Sequence, residues 1–201
     1  MDMTHELFQG ELSKPSRVAL LVVALAMIPA LFLPVWSITL HAPQYPEGLS
    51  MQIFAHTVSG DIQEINNLNH YIGMQTISPD EFPEFNFIPF FIVRFLGFAV
   101  LAFLVARMPV AAIGYIDFVI FGGVMLFDFH NWLYEYGHNL SPDAPISMEP
   151  FTPNLFGPTQ VANFSVTSYP SWGAILMGIA GLAGPVILGY EWWRKRKAAD
   201  A

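Results

Sequence analysis

The chain has 201 residues, of which 54% are hydrophobic and only 12% charged, against about 25% charged in ordinary soluble domains. That composition belongs to a single membrane domain. It contains no cysteine, which excludes disulfides, iron–sulfur clusters, CxxCH haem attachment and thiolate chemistry, and its net charge of −8 speaks against nucleic acid, which is bound by neutralising phosphates.

Crossing a hydrocarbon core takes about 20 apolar residues. The first qualifying stretch, 17–40, carries no charge after Arg17 and includes Pro29 and Pro34. It exceeds the apolar length of a secretory signal and lacks an A-x-A site, so a retained anchor is expected. From His41 to Gly48, two prolines impose an extended path. Residues 49–58 alternate imperfectly, as a short strand would. Asp61 with Glu64 forms the pattern of a capping box, and Gly73 is suited to closing the helix that follows. At 100° per residue, Ile62, Ile65, Leu68 and Ile72 share one face of that helix, while Asn66, His70 and Met74 gather on the other.

The second span, 87–107, contains one charge, Arg94, and the third, 109–136, contains Asp117 and Asp128. Gly137 is expected as the left-handed residue just past the third helix, with His138 and Asn139 leaving the membrane surface. The proline-rich run 142–170 reads as an extended lid. A fourth span, 171–193, ends in Arg194, Lys195, Arg196 and Lys197, and its small-residue spacings (Ala174 to Gly178, Ala180 to Gly184) allow close helix packing. The expected fold is therefore an all-α integral membrane protein: a four-transmembrane-helix bundle whose two long periplasmic loops, 41–86 and 137–170, form a small cap.

Every Lys and Arg except Arg94 falls on one side of this arrangement, and the two long loops contain none. The positive-inside rule then puts both termini in the cytoplasm of a bacterial inner membrane. The opposite face carries nine acids, from Glu47 to Glu149. Charges within a bilayer face the bundle and pair. Arg94 and Asp128 are expected to form a structural ion pair, leaving Asp117 with no visible partner.

Five histidines, His41, His56, His70, His130 and His138, collect on the acidic side with Met51, Met74 and Met148. Imidazole, thioether and carboxylate ligands suit copper where thiols are absent. The set His70, Met74, His138 and Glu47 is the candidate metal site, weighed against hydrogen-bonded interfacial histidines that hold nothing. No GxSxG, P-loop, GxGxxG or HExxH motif occurs, so no catalytic residues are assigned and no enzyme is expected. Neither haem nor an iron–sulfur cluster is expected.

The strings HAPQYPEGL (41–49), INNLNHYIGM (65–74) and YGHNL (136–140) resemble segments of a family of small bacterial membrane proteins often encoded near nitrous-oxide-reductase and copper-handling genes. The resemblance implies a periplasm-facing accessory role centred on Glu47, Asn66, Asn69, His70, Met74, His138 and Asn139. Two functions follow as expectations. One is a membrane accessory protein that binds a copper-like ion or delivers it to a respiratory or other metalloenzyme. The other is a non-catalytic structural or assembly subunit of a larger membrane complex.

Overall fold

A computed structural model describes residues 10–161 and 163–199. Helix α1 (Lys14–Leu25) starts at Ser13, whose hydroxyl accepts the Ser16 N–H, and ends where Pro29 becomes the fourth residue ahead. The proline has no N–H to donate, and its ring would collide with the Leu25 carbonyl. A 3-10 turn, Ile28–Leu31, completes the apolar segment. Pro34 then holds its predecessor extended, and the chain runs into strand β1 (Trp36–Ala42).

This strand overturns the all-α expectation. Together with β2 (Tyr45–Ile53), β3 (Val58–Gly60), β4 (Gly157–Val161) and β5 (Phe164–Pro170), it makes a five-stranded antiparallel sheet in the order β3-β2-β1-β5-β4. The first helical segment long and apolar enough to span a membrane thus covers residues 14–31 instead of 17–40, and the segments 41–86 and 137–170 carry strands of the sheet and, in the first, a helix. The physical cause is the period. Trp36, Ile38, Leu40 and Ala42 alternate with Ser37, Thr39 and His41, and Phe164, Val166 and Ser168 alternate with Ser165, Thr167 and Tyr169. Such two-residue repeats rich in β-branched side chains bury one face of a pleated sheet. At the end nearest the helical stem, Trp36 pairs with both Ile53 and Pro170.

Helix α2 (Ile62–Ile72) lies on the sheet with the apolar face that its periodicity predicts: Ile65, Leu68 and Ile72 are buried against Trp36, Ile38, Leu49 and Met51. Gly73 closes it at φ 79°. The capping box does not form, because the Asp61 carboxylate accepts the backbone N–H of Ser50 on β2 (2.8 Å) instead of capping its own helix.

The stem is completed by α3 (Ile88–Val105), α4 (Met108–His138) and α5 (Trp172–Ala199). Helices α1 and α4 each pack against both α3 and α5. Four helices are long and apolar enough to cross a membrane, and side chains such as Leu182 (75% exposed) and Val186 (70%) point outward. The starts of α1 and α4 and the ends of α3 and α5 share the end of the stem away from the sheet. There Leu12 N–H donates to the Ala106 carbonyl (2.6 Å) and Arg17 Nε to the Phe103 carbonyl (2.6 Å).

At that same end, Glu191 is fully buried. Its carboxylate accepts the Ser13 N–H (3.0 Å), the Ser13 hydroxyl and Arg194 Nη2 (2.9 Å), binding the start of α1 to the end of α5. Glu191 went unread in the sequence, although it is the single acid of the fourth apolar segment.

Candidate functional site

Three of the four residues singled out as a metal site, His70, Met74 and His138, lie near the ends of α2 and α4 on the rim of the cap. The ends of α2 and α4 are joined there by three hydrogen bonds. Ser141 N–H donates to the Gly73 carbonyl (2.8 Å), Ile146 N–H to the Tyr71 carbonyl (2.9 Å), and the Tyr136 hydroxyl to the Thr76 carbonyl (3.1 Å). The strings 65–74 and 136–140 therefore meet in space, although 60 or more residues separate them. Gly137 is not a left-handed terminator as expected. Helix α4 runs through His138, and Gly137 is needed because a Cβ there would lie 1.9 Å from the Phe151 carbonyl oxygen, whose own N–H donates to the Gly137 carbonyl (3.0 Å).

Within this rim, His138 has Nδ1 2.9 Å from the Tyr134 carbonyl and its ring stacked on Tyr134 with centroids 3.8 Å apart. That contact fixes the proton on Nδ1 and leaves Nε2 as a free acceptor, the arrangement used by metal-ligating histidines. His70 is exposed on α2, with its ring edge toward Tyr71. Met74 is half-buried and packs on the core of the cap. Glu47 is exposed on β2, one residue before Gly48, whose nearest neighbour is the His41 ring. Among the described residues no group of three or more His, Asp or Glu side chains is close enough to hold an ion, so Glu47, His70 and His138 are not gathered into one ligand set.

Two residues implied by the resemblance have structural occupations. The Asn66 side chain donates to the Ile77 carbonyl (2.9 Å) and accepts the Ile77 N–H (2.7 Å). Asn69 is buried and donates to the Gln75 carbonyl (3.3 Å). Together they clamp the segment leading away from α2. Asn139 is the residue that ends α4.

Beneath the sheet lies a chamber of about 480 Å³, walled by the inner face of β1 and β2, by α2, and by the facing sides of α4 and α5. Its lining is apolar almost throughout, with Trp36, Phe129, Trp132 and Met177 among the larger side chains. Trp36 Nε1 is satisfied by the Ser168 hydroxyl (2.8 Å), which in turn donates to the Leu155 carbonyl (3.0 Å). Two carboxylates, Glu84 and Asp128, also line this space, and Glu84 Oε2 is buried without a hydrogen-bond partner.

Deeper in the stem, Arg94 pairs with Asp117, not with Asp128: the guanidinium and carboxylate approach to 2.6 Å, and the guanidinium lies over the Phe91 ring at 4.2 Å. Hairpin geometry explains the difference. Counted from the α3–α4 turn at Ala106 and Arg107, Arg94 and Asp117 lie at similar depths, roughly 16 and 14 Å at 1.5 Å per residue, whereas Asp128 is about 30 Å away. Aligning the spans by their outer ends brings Asp128 level with Arg94, but the short turn at the other end sets the register.

Comparison with known proteins adds no relationship: no protein-family model and no curated protein matches the chain.

Proposed function

We propose that the protein is a non-catalytic accessory module of a bacterial inner membrane, with its sheet-bearing cap in the periplasm and a copper-like ion held on the cap's rim for a respiratory or other metalloenzyme. The observation that carries this reading is the joining of the ends of α2 and α4, which puts His70, Met74 and His138 on one hydrogen-bonded rim, with Nε2 of His138 left open. Imidazole and thioether are the ligands that copper accepts without thiolate. Glu47, exposed on β2, is left out of this ligand set.

The test is metal analysis of detergent-purified protein equilibrated with copper. The parent should retain copper, and His70→Ala with His138→Ala should release it; a parent that holds none, or a double variant that holds as much, refutes the reading. The orientation rests on the collection of cations at the end of the stem opposite the sheet. Because the chain has no cysteine, single cysteines placed at Gln44 and after Lys197 report it directly. An impermeant thiol reagent should label only the first in intact cells.

A second reading, an assembly subunit of a larger membrane complex, is favoured by Tyr71 and Ile146. Both are half-exposed apolar side chains, adjacent on the cap and outside the stem. A partner that co-migrates from native membranes and is lost on Tyr71→Ser and Ile146→Ser would support it. A lone monomer from the same membranes would refute it.

A further inference from the structure

We infer that the chamber between the sheet and the stem binds a single-chain amphiphile drawn from the bilayer, whose hydroxylated head donates hydrogen bonds to Glu84 and Asp128. The chamber touches the metal rim at Met74 and Tyr136, but neither His70 nor His138 lines it. Its volume of about 480 Å³ falls in the range of sites that enclose a small-molecule ligand, and an apolar lining with a few converging polar groups is the usual character of such sites.

The shape points to a chain. From the level of Trp36 and Phe129 the space continues down between α4 and α5 to Phe118 and Gly181. Ala174 to Gly181 spans two helical turns, about 10 Å at 1.5 Å per residue. The floor is closed by Phe118 against Gly181 (3.3 Å from a built Cβ) and, below it, by the Tyr115 ring pressed on Gly184. Two glycines leave room beside α4 and α5. A Cβ built at Gly122 or Gly178 meets nothing within 4 Å, although both glycines line the chamber. Both glycines lie in helices long and apolar enough to cross a membrane, where lipid chains are the molecules at hand.

The head is specified by the two carboxylates. Glu84 Oε2 is an acceptor removed from solvent with no donor supplied by the protein, a costly state for a polar group. A hydroxyl meets it with a short charge-assisted bond. A permanently charged cation would first have to shed its water in an apolar chamber. A head built of acceptors alone would leave Glu84 unsatisfied.

The test uses protein reconstituted in phosphatidylcholine vesicles and two probes with the same bromine-bearing twelve-carbon chain, a 4-alkylphenol and its methyl ether. Bromine on the chain quenches Trp36 and Trp132, which line the chamber. The phenol should reach half-maximal quenching at a concentration at least tenfold below the ether. Glu84→Ala with Asp128→Ala should bring the phenol to the ether's value, and Gly178→Leu, which grows into the open space, should abolish saturable quenching by both. His70→Ala with His138→Ala should change none of this. Equal half-saturation for phenol and ether in the parent protein overturns the head assignment, and that comparison needs no variant to fold. Saturable quenching that survives Gly178→Leu, or that never occurs with the parent, overturns the chamber as a binding site.

Discussion

The pairing of Arg94 with Asp117 makes a sharp quantitative prediction. Both side chains are about a third exposed within the isolated chain, 32% and 30%, but they lie midway along two helices long and apolar enough to cross a membrane, and under the proposed membrane placement that surface meets hydrocarbon, so the weak energies of water-screened surface pairs do not apply. Removing one partner leaves the other charge uncompensated in apolar surroundings. Insertion scales put an arginine at mid-membrane at about 3 kcal/mol, and breaking buried pairs costs a similar amount. Stacking of the guanidinium on Phe91 and Phe95, at 4.2 and 5.5 Å, recovers only a part, on the order of 1 kcal/mol. Asp117→Asn should therefore lower stability by about 2–3 kcal/mol, or roughly 4–12 °C in thermal unfolding for a chain of this size, followed by tryptophan fluorescence in detergent. Arg94→Leu with Asp117→Leu removes both charges together and should return most of the loss, since replacing a whole buried pair by apolar groups is often neutral. Asp128→Asn should be within about 0.5 kcal/mol of the parent. If Asp128→Asn destabilises as much as Asp117→Asn, or if Asp117→Asn unfolds with the parent, the pairing and the hairpin register behind it are wrong.

Three further outcomes are expected from the same unfolding measurement. Glu191→Gln keeps the size of a fully buried side chain but weakens its bonds to Ser13 and Arg194, and should cost about 2 kcal/mol. Gly137→Ala forces a methyl into the Phe151 carbonyl and should cost about 3 kcal/mol or more, whereas Gly189→Ala, with open space around it, should be neutral or raise stability by up to about 1 kcal/mol through helix propensity. Ser168→Ala strips the acceptor from the buried Trp36 Nε1–H (2.8 Å) and should cost about 1–3 kcal/mol; an unchanged midpoint would mean that another acceptor replaces the hydroxyl.

Composition and spacing determined that this chain carries four apolar segments and that all its cations but Arg94 share one end. Both properties are sums over local stretches and need no knowledge of what packs on what. The amphipathic face of α2 and its closure at Gly73 were legible for the same reason, since a helix repeats within a few residues. The sheet was obscured because Trp36 to Leu40 adjoins an apolar run, and length alone cannot separate a helix's end from a buried strand. The two-residue alternation could have, and the proline at 29 marked the break. The partner of Arg94, the meeting of the 65–74 and 136–140 strings, the burial of Glu191 and the chamber beneath the sheet were decided only by the tertiary structure. Each depends on the register between segments far apart in the chain, and that register follows from the α3–α4 turn and the strand order, which no single stretch of residues contains.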